Sequence, residues 1–264
     1  MKIGIFDSGL GGLVIAKAVH RLLPAYDYVY LGDTKRVPYG NRSEETVFEF
    51  TREGVDYLFR KENCAIIIIA CNTASAKALR KLQREYLPKN FPNRKILGVL
   101  IPAAEECVKF KRVGVLATRG TISSNTFPRE IKKINPEIKV FQNSAPMLAS
   151  LAEEGKDTLA ISFIKKYLQV FSNKDLDALV LGCTHYPIFK KEIRKIVGLK
   201  VKIISQDEIM PKKFKKYLEK HREITKKLTC NREVKILVTD KTEMVKNLTQ
   251  KWFGKVKPKL VKLQ

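Results

Sequence analysis

The chain has 264 residues, of which 44% are hydrophobic and 30% charged, with a formal net charge of +24. That length can bury one large core or two ordinary ones, and the composition is typical of a globular protein rather than a disordered or fibrous one. No apolar stretch reaches the roughly 18 residues that a membrane helix needs, and the first residues lack the apolar segment of an export signal, so we expect a cytoplasmic protein.

The first 100 residues alternate short apolar runs with amphipathic stretches, a pattern typical of β-strands that are each followed by an α-helix. The predicted strands are residues 2–6, 27–33, 65–70 and 95–100. The predicted helices are residues 11–23, 44–61 and 75–87, the first ending at Pro24 and the last at Pro88. Because the strands are apolar on both faces, we expect parallel sheets covered by helices on both sides.

The same alternation starts again after residue 111. The predicted strands are residues 112–118, 137–143, 177–182, 200–205 and 235–239. The predicted helices lie near 123–134, at 157–171, through 189–197, in the lysine-rich stretch 211–227, and at 242–254. The chain therefore contains two βα series of similar size.

This repetition predicts an α/β protein with two similar domains, each built on a mainly parallel sheet. We expect residues 1–97 and 207–264 to form one domain, which the C-terminal segment completes, and residues 98–206 to form the other. Ligands of open α/β sheets bind beyond the carboxyl ends of the strands. We therefore expect the active site in the cleft between the two domains.

Two loops that begin with cysteine follow apolar strands, one in each half of the chain. They are CNTAS, which starts at Cys71, and CTHYP, which starts at Cys183. Backbone N–H groups at the start of a following helix favour thiolate over thiol. Five widely spaced cysteines without a CxxC pair argue against a disulfide framework and against a structural zinc site. Each cysteine is then either a small buried hydrophobic side chain, the usual role of free cysteine, or a reactive thiol. The matched pair of loops favours reactive thiols.

The residues that follow these cysteines can bind and move charge. Asn72, Thr73 and Thr184 can donate hydrogen bonds to a carboxylate. His185 can hold a proton or stabilise a neighbouring thiolate. We therefore expect an anionic substrate and acid/base chemistry at these loops.

Three further segments carry turn residues and polar side chains. FDSGLGG (6–12) has Asp7 and Ser8 at a strand end before a glycine turn, but it lacks the third glycine of a dinucleotide fingerprint and the lysine of a phosphate loop. Asp7 could assist acid/base chemistry, pair with a substrate ammonium, or bond only to its own turn. VPYGNRS (37–43) and ATRGTISS (117–124) could each bind an anion or serve as an ordinary turn and helix N-cap.

Taken together, DSGLGG, VPYGNRS, CNTAS, ATRGTISS and GCTHYP, in this order and at these separations, resemble the glutamate racemases. Those enzymes need no cofactor and supply D-glutamate for bacterial peptidoglycan. The resemblance extends over nearly the whole chain. It implies two α/β domains with the substrate between them, usually a homodimer, and no cofactor or metal.

The resemblance also implies roles for individual residues. Cys71 and Cys183 would be the two acid/base residues, on opposite faces of the substrate α-carbon. Asp7 would assist Cys71, and His185, together with Glu153, would assist Cys183. The residues implied in binding the amino acid are Asp7, Ser8, Tyr39, Gly40, Asn72, Thr73, Thr121, Thr184 and His185.

Thiols suit this reaction on chemical grounds alone. Racemisation removes a proton from one face of the α-carbon and delivers another to the opposite face, and a single base would tend to return the proton to the same face. Two groups of one type, one charged and one neutral, run the reaction in both directions with their roles exchanged. The pKa of a thiol is close enough to working pH for both forms to be accessible. Pyridoxal phosphate, metal or flavin is then not required.

Three alternatives remain open at this point. The chain could racemise another acidic amino acid, chiefly aspartate. It could be a basic nucleic-acid-binding protein, because its net charge attracts polyanions, although the lysines of 211–227 are also typical of a solvated helix face. It could be a redox protein that pairs Cys71 with Cys183, although such proteins favour CxxC. We expect L- and D-glutamate as ligands, a homodimer, no membrane association, and nucleic acid not as the main partner.

Overall fold

The structure is a computed structural model that describes residues 1–263, apart from the side chain of Asp157. The strands are β1 (Lys2–Asp7), β2 (Tyr28–Gly32), β3 (Cys64–Ile69), β4 (Lys95–Gly98), β5 (Arg112–Ala117), β6 (Lys139–Ser144), β7 (Ala178–Gly182), β8 (Lys202–Ser205), β9 (Val234–Val238) and β10 (Lys259–Leu260). Within the described range, none of the helices combines the length and the apolar character needed to cross a membrane.

The α-helices are α1 (Gly12–Leu22), α2 (Glu44–Arg60), α3 (Asn72–Lys77), α4 (Leu79–Lys81), α5 (Leu87–Asn90), α6 (Leu100–Cys107), α7 (Arg119–Ser123), α8 (Thr126–Ile134), α9 (Met147–Glu153), α10 (Asp157–Leu168), α11 (Lys190–Val197), α12 (Gln206–Lys220), α13 (Arg222–Thr225) and α14 (Glu243–Trp252). A π-helical turn, Leu82–Tyr86, connects α4 to α5. Short 3-10 turns cover Tyr39–Asn41, Gln169–Phe171 and Tyr186–Phe189.

The strands form two parallel sheets. The first has the order β10–β9–β2–β1–β3–β4, and the second has the order β6–β5–β7–β8. Every residue of β3 and of β7 is buried, which is the pattern of parallel strands covered by helices on both faces. The α/β class with parallel sheets, predicted from the sequence, is therefore confirmed.

The first sheet takes strands from both ends of the chain. Its core on one face includes Ile5 of β1, Leu13 of α1 and Phe214 of α12, while Phe6 and Val55 of α2 pack on the other face. The second sheet takes its strands from the middle of the chain. The domain boundaries expected near residues 97 and 206 remain a prediction.

Several helices differ from the sequence prediction, and three of these helices contain proline. Pro88 does not end the helix before it, because it occupies the first turn of α5, where its missing N–H is not required. Pro102 lies in the first turn of α6, a helix that the apolar pattern did not indicate. The lysine-rich helix α12 begins at Gln206, before Pro211. Helix α9 and strand β10 were also not predicted.

A buried carboxylate fastens the returning C-terminal segment to the first sheet. Asp27 precedes β2 and is 2% exposed. It accepts hydrogen bonds from the backbone N–H groups of Asn231 and Glu233, both at 2.9 Å, and from the side chain of Asn231 at 3.0 Å. Burial opposes the ionised form, but hydrogen bonds from Thr229, Glu233 and Asn231 outweigh it and lower the pKa of Asp27.

We expect Asp27→Asn to lower the free energy of unfolding by about 1–3 kcal/mol, because an amide cannot accept all of these hydrogen bonds. A carboxyl whose pKa is lowered by folding contributes stability above its unfolded pKa, and that stability is lost as pH falls through the folded-state pKa. The difference in the free energy of unfolding between wild type and Asp27→Asn should therefore be largest at pH 7 and decrease as the pH is lowered. Urea unfolding across this pH range measures it.

The matched control is Asp175→Asn, because the Asp175 side chain is 80% exposed. It should change the free energy of unfolding by no more than about 0.5 kcal/mol. Equal effects of the two substitutions would contradict the anchoring role of Asp27.

Candidate active site

The loops that follow β1, β3, β5 and β7 meet at one place, where the carboxyl ends of the two sheets approach each other. The hydroxyl of Thr73, in α3, lies 2.9 Å from that of Thr118 and 3.3 Å from that of Thr121. Thr118 and Thr121, at the start of α7, lie 3.0 Å apart. These three hydroxyls join the loop of one sheet to the loop of the other, so the candidate active site lies between the sheets.

The glycine turn after β1 makes a second contact across this boundary. A Cβ atom added at Gly11 would lie 2.4 Å from Oγ1 of Thr184 and 2.6 Å from Cε1 of His185. A Cβ atom added at Gly12 would lie 2.6 Å from Cβ of Asp7. Side chains do not approach each other so closely, so the two glycines let α1 pack on Asp7 while the turn touches the loop of the second sheet.

Cys71 is buried at the carboxyl end of β3 and caps α3. Its Sγ accepts hydrogen bonds from the hydroxyl of Ser8 at 3.2 Å and from the N–H of Ala74 at 3.4 Å. Burial, followed by the negative charge of Asp7, raises the pKa of the Cys71 thiol to about 12, and the two hydrogen bonds only partly offset this. In this surrounding Cys71 is a thiol at neutral pH.

Asp7 lies beside Cys71 with its carboxylate almost completely buried. Oδ2 accepts the N–H of Gly9 at 2.9 Å, whereas Oδ1 is buried without a hydrogen-bond partner among the described residues. Burial raises the pKa of Asp7, although the positive charge of His185 opposes the shift. An acceptor oxygen held in this way suits a donor such as a substrate ammonium.

A chain of three side chains starts at Cys183. Its Sγ lies 3.7 Å from Nδ1 of His185, and Nε2 of His185 lies 2.9 Å from Oε1 of Glu153. Burial would lower the pKa of His185, but its hydrogen bonds to Cys183 and Glu153 and their negative charges outweigh burial and raise the pKa to about 10. At neutral pH the imidazole is therefore positively charged and stabilises negative charge on the sulfur of Cys183.

The two cysteines interact electrostatically but form no disulfide bond. Both Cys71 and Cys183 have free thiols. Negative charge on Cys183 contributes to the raised pKa of Cys71, so the two sulfur atoms share one electrostatic environment. Each sulfur has a different neighbour, a carboxylate beside Cys71 and an imidazolium beside Cys183.

The residues expected to bind a substrate carboxylate surround the same space. Asn72, Thr73, Thr121 and Thr184 are buried there, and Ser8 is partly exposed. Thr118, which we did not include among the binding residues, shares the hydroxyl cluster of Thr73 and Thr121. Its place at the end of a predicted strand was the signal that could have indicated it.

Tyr39 and Gly40 reach the site in different ways. The hydroxyl of Tyr39 donates to Oδ2 of Asp33 at 2.6 Å, so this group points to a neighbouring carboxylate rather than remaining free for a ligand. A Cβ atom added at Gly40 would lie 3.1 Å from Cβ of Thr118, which puts Gly40 at the boundary between the two halves. Asp33 follows β2 as Asp7 ends β1, and strand position could have indicated it.

Two residues from distant parts of the chain contact the site, and the sequence did not indicate either of them. Gln206 donates from Nε2 to Oδ1 of Asn72 at 2.7 Å. Trp252, at the end of α14, packs its ring edgewise against His185, with 5.5 Å between ring centroids and 77° between planes. Both contacts depend on how the C-terminal part of the chain returns to the first sheet.

A large surface groove lies apart from this site, and the part of the chain that the structure describes contains no metal-binding cluster. Among the described residues, no three His, Cys, Asp or Glu side chains are grouped to hold a metal ion. A groove of about 1130 Å³ lies at the opposite, amino end of the second sheet, near Arg112, Asp177 and Lys202, and none of the residues expected in the active site lines it. The chemistry-bearing side chains instead lie in the closed boundary between the sheets.

Comparison with known proteins identifies the group to which this chain is similar. The sequence pattern of the Asp/Glu/Hydantoin racemase family matches residues 13–207. A glutamate racemase 2 of Caldanaerobacter subterraneus subsp. tengcongensis is 39% identical over 225 residues, which are 83% of this chain and 81% of that protein.

Solved structures agree with the sequence comparison. Glutamate racemase RacE1 from Bacillus anthracis superposes with a TM-score of 0.89 at 32% identity, covering 99% of this chain and 97% of the other. Glutamate racemase from Francisella tularensis in complex with D-glutamate gives a TM-score of 0.89 at 33% identity, covering 100% and 98%. The chain belongs to the Asp/Glu/Hydantoin racemase family and, within it, to the glutamate racemases.

Proposed function

We propose that this chain interconverts L- and D-glutamate without a cofactor, by moving the α-proton through Cys71 and Cys183. The observation that carries the proposal is a pair of buried free thiols, one from each sheet, each with its own charged neighbour. The relatives named glutamate racemases, one of them described with D-glutamate bound, support the choice of substrate. The function classes that the net charge alone allowed do not account for this pair.

In one direction the thiolate of Cys183 removes the α-proton, and the thiol of Cys71 donates its proton to the opposite face of the carbanion. The products are the other enantiomer, a thiol at Cys183 and a thiolate at Cys71. In the other direction the two sulfurs exchange these roles. His185, held by Glu153, supports negative charge at Cys183, and the hydrogen bonds from Ser8 and Ala74 support it at Cys71.

The substrate itself can complete the activation of Cys71. Asp7 raises the pKa of this thiol through its negative charge, and Oδ1 of Asp7 has no partner among the described residues. A substrate ammonium bound there would neutralise Asp7 and add positive charge near the sulfur. Both changes lower the pKa of Cys71, so the thiolate becomes accessible only when the amino acid is in place.

Hydroxyl and amide groups bind the substrate carboxylates and stabilise the carbanion. The hydroxyls of Thr73, Thr118 and Thr121 are already oriented by one another, and Asn72 and Thr184 add further donors. Donors that are fixed before charge develops stabilise a transition state without reorganisation. A site closed to water strengthens each of these interactions.

The proposal extends to the setting of the enzyme. We propose that its substrate cleft lies between a domain of residues 1–97 and 207–264 and a domain of residues 98–206, and that it acts as a homodimer in the cytoplasm. D-glutamate made there would serve peptidoglycan synthesis and hence cell shape. The resemblance of the five sequence motifs to those of the glutamate racemases supports these points.

We expect Cys71→Ser and Cys183→Ser each to lower racemisation of glutamate by about 10²- to 10⁴-fold, because a serine hydroxyl is a far weaker acid than a thiol. Circular dichroism of L- or D-glutamate incubated with the purified protein, without added cofactor and with a metal chelator, measures the rate. In deuterated water the product enantiomer should carry one α-deuterium.

Cys230→Ser is the matched control, because Cys230 is exposed and follows Thr229, whose N–H bonds to the carbonyl of Met1 before the amino end of β1. It should retain the wild-type rate within about twofold. A folded Cys71→Ala protein that racemises glutamate like wild type would refute the two-thiol mechanism, as would product that keeps the substrate α-proton.

We expect Glu153→Gln to move the alkaline limb of the pH–rate profile to lower pH by about one unit or more. The carboxylate of Glu153 helps to hold the pKa of His185 at about 10, and a neutral amide removes that charge, so His185 loses its proton at lower pH. The measurement is kcat/KM for L- and D-glutamate across the pH range in which the protein stays folded.

Glu154→Gln provides the control, because Glu154 is the exposed neighbour of Glu153. Its profile should superimpose on that of wild type. If Glu153→Gln also left the profile unchanged, Glu153 would have no part in the protonation of His185.

Racemisation of aspartate is the nearest alternative. The relatives reported above are named glutamate racemases, and this favours glutamate. We expect kcat/KM for glutamate to exceed that for aspartate when the two are measured side by side, and the reverse order would replace glutamate by aspartate in the proposal.

A further inference from the structure

Gln206 lies outside every motif that indicated the site, yet it bonds directly to one of the site residues. It is the first residue of α12, where the chain returns from β8 toward the first sheet, and it is 1% exposed. Its Nε2 donates to Oδ1 of Asn72 at 2.7 Å. Asn72 follows Cys71 directly and precedes Thr73, so its amide lies among the groups expected to contact substrate.

The bond leaves two polar atoms of this pair without partners. Nδ2 of Asn72 and Oε1 of Gln206 are buried and make no hydrogen bond among the described residues. A side-chain amide has its oxygen and its nitrogen on opposite sides of the same carbon. Because Gln206 holds the oxygen of Asn72, the NH2 group of Asn72 is turned away from Gln206, and a buried donor of this kind is costly unless a ligand accepts from it.

We propose that Gln206 is a positioning residue that fixes the amide of Asn72 with its NH2 group directed at a carboxylate of the bound amino acid. This inference rests on the proposed function and adds a determinant of substrate binding to it. An ionised carboxylate is an acceptor only, so it can bond to the NH2 group of Asn72 but would be repelled by its oxygen.

The position of Gln206 gives this bond a second consequence. Asn72 follows β3 of the first sheet, whereas Gln206 directly follows β8 of the second sheet, and 134 residues separate them. The orientation of Asn72 therefore depends on how the second sheet is docked on the first. A carboxylate meets the correctly turned amide only when the two halves are in the arrangement described here.

The test uses Gln206→Glu, which replaces the donor by a carboxyl group of the same shape. When that carboxyl is ionised, Asn72 must rotate to donate to it, and the oxygen of Asn72 then faces the substrate carboxylate. We expect KM for glutamate to rise by about 10- to 100-fold, the worth of a hydrogen bond to a charged group, with kcat within a few-fold of wild type. When the carboxyl is protonated it can donate to Asn72 again, so KM should return toward the wild-type value as pH is lowered.

Three comparisons separate positioning from a merely structural role. Gln206→Met removes the hydrogen bond without adding charge, and we expect a rise in KM of about 2- to 10-fold that does not depend on pH in this way. Gln83→Glu is the matched control, because Gln83 is a partly buried residue that bonds to the backbone oxygen of Ile96, and it should leave KM unchanged. In the Asn72→Ala background, Gln206→Glu should have no further effect on KM, because Gln206 acts only through Asn72.

Wild-type racemisation of glutamate is measured first. Its absence would overturn the proposed function and with it the role of Gln206. If wild type is active, a folded Gln206→Met protein with unchanged KM, or a variant in which kcat falls while KM stays constant, would overturn the role of Gln206 alone. If Gln206→Glu does not fold, Gln206→Met and its double-mutant cycle with Asn72→Ala test the role of Gln206 instead.

Discussion

The contact between the loops of the two sheets is the constraint on which the rest of the site depends. Three hydroxyls, those of Thr73, Thr118 and Thr121, bridge this boundary within 2.9–3.3 Å. Gly11 lets the turn after β1 lie against the loop that carries His185 on the other side. Parallel sheets expose their loops only at strand ends, so two sheets that meet end to end can enclose a small molecule with groups from both.

This arrangement gives two identical functional groups different surroundings. Cys71 lies beside a carboxylate and is kept neutral, whereas Cys183 lies beside an imidazole that is itself held positive by Glu153. A proton transfer that runs across the substrate needs one sulfur charged and the other neutral at each stage. In the proposed mechanism, burial and the carboxylate beside Cys71 keep that sulfur protonated before substrate binds, and a substrate ammonium beside Asp7 would reduce this effect.

The sequence alone indicated those strands and loops whose structure depends on residues close together along the chain. Buried runs such as 65–70 marked strands, and the loops at Cys71 and Cys183 were recognisable because both follow such strands. Pro88 misled one helix boundary, because proline in a first turn is compatible with a helix while its usual local signal is that of a break. The bond between Asn72 and Gln206 could not be predicted, because these residues are 134 positions apart and meet only through the three-dimensional return of the chain.

Several polar atoms of the site are buried without a hydrogen-bond partner among the described residues, and this lowers the stability of the fold. Of the six buried side-chain polar atoms without a partner among the described residues, three belong to Asp7, Asn72 and Gln206. Such an atom costs about 1–3 kcal/mol, and folding elsewhere in the protein must offset this. Oδ1 of Asp7 needs a donor and Nδ2 of Asn72 needs an acceptor, and an amino acid carries an ammonium and a carboxylate that supply both at once. In the proposed binding mode, an amino acid would relieve a penalty already present in the folded chain, and a ligand that lacks either charge would relieve only part of it. The same unpaired atoms that lower the stability of the fold would therefore favour an amino acid over ligands that lack one of its charges.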